Sequence, residues 1–239
     1  MKKHAKVVAV IGAAVVAVAV FLTAVLKTAG GPDVVGTGSV SSFEAVLNAA
    51  PGRVSADEAN AGWSLEAPDG SVRFVWSEDD GRSPLHDVML EFDARPFVKA
   101  GLDTARLPEN YAAENGRLTV GTDLGGDRPS YEGKTTPLSA YERIVGKHRG
   151  SVGYHAALDH YNVSLGGGNL FEWARDMKVN RVTDKNQEKD IVFVLNPKPL
   201  VAAGADPKKV EGWVYAAVSM EMDGKAADVY KFLKPFNLQ

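Results

Sequence analysis

Cysteine is absent from all 239 residues of the chain. With it go catalytic thiols, disulfide frameworks, iron–sulfur clusters, cysteine-ligated zinc and any lipid anchor on a cysteine. The short nucleophile and cofactor motifs are missing as well. There is no Gly-x-Ser-x-Gly elbow, no Ser-x-x-Lys, no His-Glu-x-x-His and no Gly-x-Gly-x-x-Gly after a strand. A triad can still be assembled from distant residues, so these absences count against an enzyme without closing the question. An excess of positive charge is lacking too. Setting aside Lys2, Lys3, Lys6 and Lys27 leaves 23 of the 27 Lys and Arg against 30 Asp and Glu. A balance of −7 argues against the basic face that a nucleic acid or an anionic lipid surface requires.

What the chain does have begins at its amino end. Lys2, Lys3, His4 and Lys6 precede an uncharged apolar run from Val7 to Leu26, 20 residues long. At 1.5 Å per residue such a helix reaches roughly 30 Å, the thickness of a bilayer's hydrocarbon core. A secretory signal has a shorter apolar stretch and a small-residue cleavage site, and Thr28-Ala29-Gly30 matches that site poorly. The expectation is a single-pass anchor at residues 1–27 with its amino end cytoplasmic, where the lysines lie, and the rest extracytoplasmic. Cleavage of the segment would make the protein secreted instead. Residues 28–40 are Gly-rich with a single charge and read as a flexible tether.

Beyond the tether the chain repeats itself. Residues 41–124 and 139–239 read as two divergent copies of one α+β unit, joined by a linker at 125–138. The clearest match sets Pro96-Phe97-Val98-Lys99-Ala100-Gly101-Leu102-Asp103 against Pro199-Leu200-Val201-Ala202-Ala203-Gly204-Ala205-Asp206, with five of eight positions identical. Each copy is expected to open with a helix capped by Ser41 or Ser139, each followed by a glutamate in capping-box spacing. A hairpin follows, Trp63-Ser64-Leu65 matching Tyr161-Asn162-Val163 and Phe74-Val75-Trp76 matching Phe171-Glu172-Trp173. Its turns are Pro68-Asp69-Gly70 and Gly166-Gly167-Gly168. The triple glycine lacks the Lys-Ser/Thr of a phosphate cradle, and a tight turn explains it. A third strand comes at 88–92 or 191–195, the latter apolar throughout and therefore expected to be central. Asp93 and Asn196-Pro197 read as caps of a short helix ending at Gly101 or Gly204. Two last strands turn at Asn115-Gly116 and Asp223-Gly224. The predicted order in each copy is α-β-β-β-α-β-β. Copy B alone carries the polar insertion 178–189.

Candidate chemistry concentrates in copy B. His148, His155 and His160 crowd together with Asp159. If Val152–Tyr161 were helical, His155 and Asp159 would share one face at i,i+4, a spacing that can hold a divalent metal. The matched positions of copy A are Ala50, Asp57, Ala61 and Gly62, so only one copy has the cluster. The competing reading is a set of hydrogen-bonded histidines without a ligand. Glu78-Asp79-Asp80 with His86-Asp87 lacks the alternation of oxygen ligands of a calcium loop and reads as a solvated loop. Trp76 and Trp173 occupy equivalent strand positions and are expected in the core, whereas Trp213 has no aromatic counterpart. The sequence therefore leads to a membrane-anchored extracytoplasmic binding or scaffolding module serving an envelope or membrane protein partner. The alternative is a metal-dependent enzyme or metal-binding protein using His148, His155, Asp159 and His160.

Overall fold

The computed structural model describes residues 32–58, 62–77, 88–122, 135–147, 149–155, 159–176, 189–222 and 225–238. The apolar run and its lysines lie outside these residues. Among the described residues no helix is long and apolar enough to cross a membrane.

The first half runs through helix α1 (Pro32–Ala49), strands β1 (Val54–Asp57), β2 (Gly62–Glu66), β3 (Val72–Ser77) and β4 (Val88–Asp93), helix α2 (Arg95–Lys99), and strands β5 (Tyr111–Glu114) and β6 (Arg117–Thr122). The second half repeats that order with α3 (Pro137–Lys147), β7 (Val152–His155), β8 (His160–Ser164), β9 (Leu170–Ala174), β10 (Ile191–Leu195), α4 (Pro197–Ala202), β11 (Val214–Met222) and β12 (Lys225–Phe236). Two antiparallel six-stranded sheets result, β1-β2-β3-β4-β6-β5 and β7-β8-β9-β10-β12-β11, so the strand order is the same in both halves. The fold is α+β.

Three local expectations are corrected. Each half has one strand more than predicted, because β1 and β7 are four-residue edge strands without apolar alternation. Their register is fixed by the partner strands, from Val54↔Leu65 to Asp57↔Gly62 and from Val152↔Val163 to His155↔His160. The tether gives way to helix from Pro32 onward, and Ser41 lies inside α1 rather than at its start. Gly36 and Gly38 serve close packing there. A Cβ on Gly36 would press on Val145 at 3.3 Å, and one on Gly38 would run into the Tyr161 hydroxyl. In α3 the cap is Thr136, whose Oγ1 accepts from the Ser139 amide at 3.1 Å while Ser139 Oγ accepts from the Thr136 amide at 2.9 Å.

Other expectations hold. Asn196 Oδ1 accepts from the Lys198 amide at 3.1 Å, with Pro197 opening α4. Gly101 and Gly204 follow their helices at φ +101° and +107°. Every residue of β10 is buried.

The helices are exchanged between the halves. Helix α1 packs on α3 and on β7, β8 and β9 of the second sheet, while α3 packs on β2 and β3 of the first. Ser42 Oγ meets the Ala174 and Arg175 carbonyls at 3.2 and 3.0 Å and accepts from Trp173 Nε1 at 3.1 Å. Trp76 Nε1 donates to the Pro137 carbonyl at 3.0 Å. Both tryptophans are thus core residues whose polar atom is satisfied by a helix of the other half.

Contacts between equivalent residues are reciprocal, as a twofold relation requires. Phe74 and Phe171 stack at 4.2 Å with planes 4° apart, and Phe43 meets Tyr141 at 4.2 Å. The Asp103 amide donates to the Ala203 carbonyl at 2.9 Å, and the Asp206 amide donates to the Ala100 carbonyl at 2.8 Å. This junction accounts for most of the matched octapeptide. The two alanines are buried, the two glycines lie against each other, and the Asp103 and Asp206 side chains each accept from the amide two residues on.

One continuous core joins both halves, so neither is a separate bead. Expressed alone, a chain ending before α3 is expected to show no cooperative unfolding transition by circular dichroism. Mixing it with the second half should restore one. A cooperative transition in the isolated first half would sink the exchange as a stability requirement.

Candidate functional site

The outer faces of the two sheets differ in chemistry. In antiparallel pairing, alternate residues point to opposite faces. In the first sheet the inner face takes Phe74 and Trp76, and the outer face takes Asp57, Arg73, Glu91 and Arg117. Arg73 lies 3.1 Å from Asp57 and 2.6 Å from Glu91, and Glu91 also pairs with Arg117. Opposite charges therefore alternate in a row across the sheet.

The second sheet replaces that row with a buried set of different composition. His155 and His160 face each other across β7 and β8 and are 3% and 1% exposed. Glu172 on β9 is 1% exposed, with Oε2 4.0 Å from His160 Nδ1. Among the described residues, both nitrogens of His155, Nδ1 of His160 and Oε1 of Glu172 find no hydrogen-bond partner. Lys231 on β12, also buried, donates to the Gly168 carbonyl at 2.7 Å. The first half has a related lock in Arg117, which donates to the Gly70 carbonyl at 3.3 Å.

Burial governs protonation here, because low polarity disfavours the charged form of each group. It pushes the Glu172 carboxyl up to about 8, against the opposing pull of the Lys231 ammonium. It pushes His155 down to about 4. His160 also falls to about 4, through burial and the neighbouring His155, against the pull of Asp159. Burial thus favours the neutral form of all three groups, a protonated carboxyl beside two neutral imidazoles. Neutral imidazole is the form that ligates metal, whereas Glu172 would first have to release its proton.

Asp159 does not join this set. Residues 152–155 and 160–164 are paired antiparallel strands, not parts of the helix on which His155 and Asp159 would have shared a face. Asp159 sits at a turn with φ +56°, accepts from the Tyr154 hydroxyl, and is held by Arg175 Nε at 2.7 Å and Nη2 at 3.0 Å. His148 lies outside the described residues, as do residues 78–87 with Glu78, Asp79, Asp80, His86 and Asp87. Among the described residues no three His, Asp or Glu side chains are placed to hold a metal ion. Asp190, at the edge of the insertion, accepts from the Leu238 amide at 2.8 Å. Sequence spacing pointed to the histidines but not to Glu172 and Lys231, which only the sheet brings beside them.

A second feature lies on the opposite flank of the same sheet. An open groove of about 550 Å³ runs between α4 and the β11–β12 hairpin. Pro197, Lys198, Val201 and Ala202 form one wall, and Tyr215, Asp228, Val229 and Tyr230 form the other. The Tyr215 and Tyr230 rings stack at 4.9 Å, with Tyr230 51% and Val201 42% exposed. Trp213 is not part of it. It is buried against Phe92 and Phe97 at 5.9 and 5.8 Å.

No protein-family model matches the chain, and neither a curated protein nor a solved structure matches it.

Proposed function

We propose that this chain is a membrane-anchored, extracytoplasmic binding or scaffolding module, built by tandem duplication of one α+β unit and serving an envelope or membrane protein partner. The matched octapeptide and the identical strand order of the halves support the duplication. The apolar run from Val7 to Leu26 with lysines before it supports the anchor. The observation that carries binding is the groove beside α4, where exposed Val201 and Tyr230 line an open apolar channel. Tethering favours such a role, since it raises the effective concentration of the module near a membrane partner.

The test is crosslinking of the full-length protein in membranes, followed by mass spectrometry. A reproducible membrane or envelope partner that disappears in Val201→Glu is expected. A full-length protein that crosslinks to nothing would end this reading.

A metal-dependent role keeps one supporting observation, the unpartnered polar atoms of His155, His160 and Glu172. Binding an ion there requires these side chains to move together and Glu172 to lose its proton. Zinc titration followed by calorimetry is expected to release protons in wild type and lose its heat in His160→Ala. Identical heats in both proteins would remove the metal reading.

A further inference from the structure

We infer that the groove between α4 and β12 receives an extended peptide from a partner protein, which adds to the second sheet as an extra strand. The inference rests on the binding-module reading and specifies its ligand. Its basis is a mismatch between the two halves. In the first sheet, β4 pairs with β6 along the whole strand, from Val88↔Thr122 to Asp93↔Arg117. The β5–β6 turn at Asn115-Gly116 falls where β4 ends, so no part of β6 is left without β4 beside it.

In the second sheet the corresponding hairpin extends further. Strand β12 has 12 residues, of which β10 pairs with Phe232–Phe236 only. Among the described residues, the strand pairing of Lys225–Tyr230 is with β11 alone, from Met222↔Lys225 to Ala217↔Tyr230. Continued in register, the chain after Leu195 would have run along the side away from β11. Pro197 and Pro199 turn it away instead, because proline carries no amide to donate to a ladder and suits the first turn of a helix. Helix α4 then stands off from β12 and leaves the groove where β10 would have continued.

Two observations identify the occupant. Three consecutive residues of β12, Asp228, Val229 and Tyr230, line the groove. Asp228 and Tyr230 lie on the face that also carries Tyr215, and Val229 between them brings the main chain of the strand to the groove beside its edge. That edge offers main-chain amides and carbonyls, which another extended chain matches. The walls then offer apolar surface for alternate side chains through Val201, Ala202 and the Tyr230 ring. Main-chain pairing supplemented by pockets for alternate side chains is the chemistry of strand addition. Six residues at ~3.3 Å each give a ladder roughly 20 Å long.

The test pans a displayed library of random peptides about ten residues long against the full-length protein in detergent, then measures binding of the enriched peptides. Ala202→Trp, which fills the groove, and Val201→Glu, which charges its wall, are both exposed-site changes. Each is expected to weaken binding by about tenfold or more while leaving the melting temperature within a few degrees of wild type. Backbone N-methylation of the peptide at successive positions should weaken binding at alternate residues only, the signature of a ladder. Enriched peptides that ignore both substitutions, or an N-methyl scan without alternation, would overturn strand addition while leaving crosslinked partners standing. If no peptide is enriched and the protein self-associates unless Ala202 is tryptophan, the occupant is a second copy and the inference is wrong. Neither enrichment nor self-association would overturn it as well.

Discussion

Gly204→Ala is expected to destabilise the protein by about 2–5 kcal/mol, measured as a shift of the urea midpoint at unchanged slope. Two costs combine. At φ +107° an alanine is strained, and its Cβ would stand 2.8 Å from the Gly101 carbonyl oxygen. The surrounding chain has little room to give, since the Asp103 and Asp206 amides fix both segments to each other through bonds of 2.9 and 2.8 Å. Gly101→Ala should cost a similar amount, because it meets the Gly204 oxygen at 2.9 Å and has φ +101°. The double substitution should cost less than the sum of the two, since both act on one contact. Gly52→Ala is the control. Its Cβ would meet nothing within 4 Å, and the expected change is within about 0.5 kcal/mol. Wild-type midpoints for both junction variants would mean that this contact does not hold the halves together.

Glu172→Gln is expected to change the pH dependence of stability more than its value at any one pH. The folded-state pKa of Glu172 is raised from 4.5 to about 8. Its contribution is therefore fully present below about 4.5 and is lost as pH rises to about 8, because the unfolded chain gives up the proton first. His155 and His160, lowered from 6.5 to about 4, have the opposite sign. Their contribution is present above 6.5 and is lost as pH falls toward 4. Between pH 6.5 and 8 only the Glu172 slope remains among these three groups. The stability of Glu172→Gln relative to wild type should grow by about 2 kcal/mol across that window. Lys231, whose ammonium burial and Lys198 push downward against the pull of Glu172, is common to both proteins, so its own slope largely cancels in the difference. Parallel curves for the two proteins would mean that Glu172 is ionised at neutral pH.

The parts of the fold that were legible in the sequence are those specified locally. Pro68-Asp69-Gly70, Asn115-Gly116 and Gly166-Gly167-Gly168 are turns because their glycines adopt positive φ, and Asn196-Pro197 starts a helix with a side-chain cap. The apolar strand at 191–195 is buried on both faces as its composition implied. Elements fixed by distant partners were not legible. β1 and β7 take their conformation from β2 and β8, and their own residues carry no strand pattern. Gly36 and Gly38 read as flexibility because sequence shows a missing side chain but not the neighbour that requires it. The histidine cluster was visible as composition, yet its geometry was set by strand pairing that exchanges Asp159 for Glu172.

Strand equivalence between the halves could be anticipated from the matched segments, but sheet order and helix exchange could not. The choice is recorded in tertiary contacts such as Ser42 against Trp173 and Pro137 against Trp76.

That exchange sets a timetable for the chain as it is made. When β6 leaves the ribosome, the first sheet is complete in strands but its inner face has no helix, because α3 has not been synthesised. Phe74 then waits for Phe171, and the Trp76 indole N–H waits for the Pro137 carbonyl. Helix α1, the first described element to emerge, lacks most of its partners until β7, β8 and β9 exist. A pause or truncation before β9 therefore leaves part of the shared core without its partners.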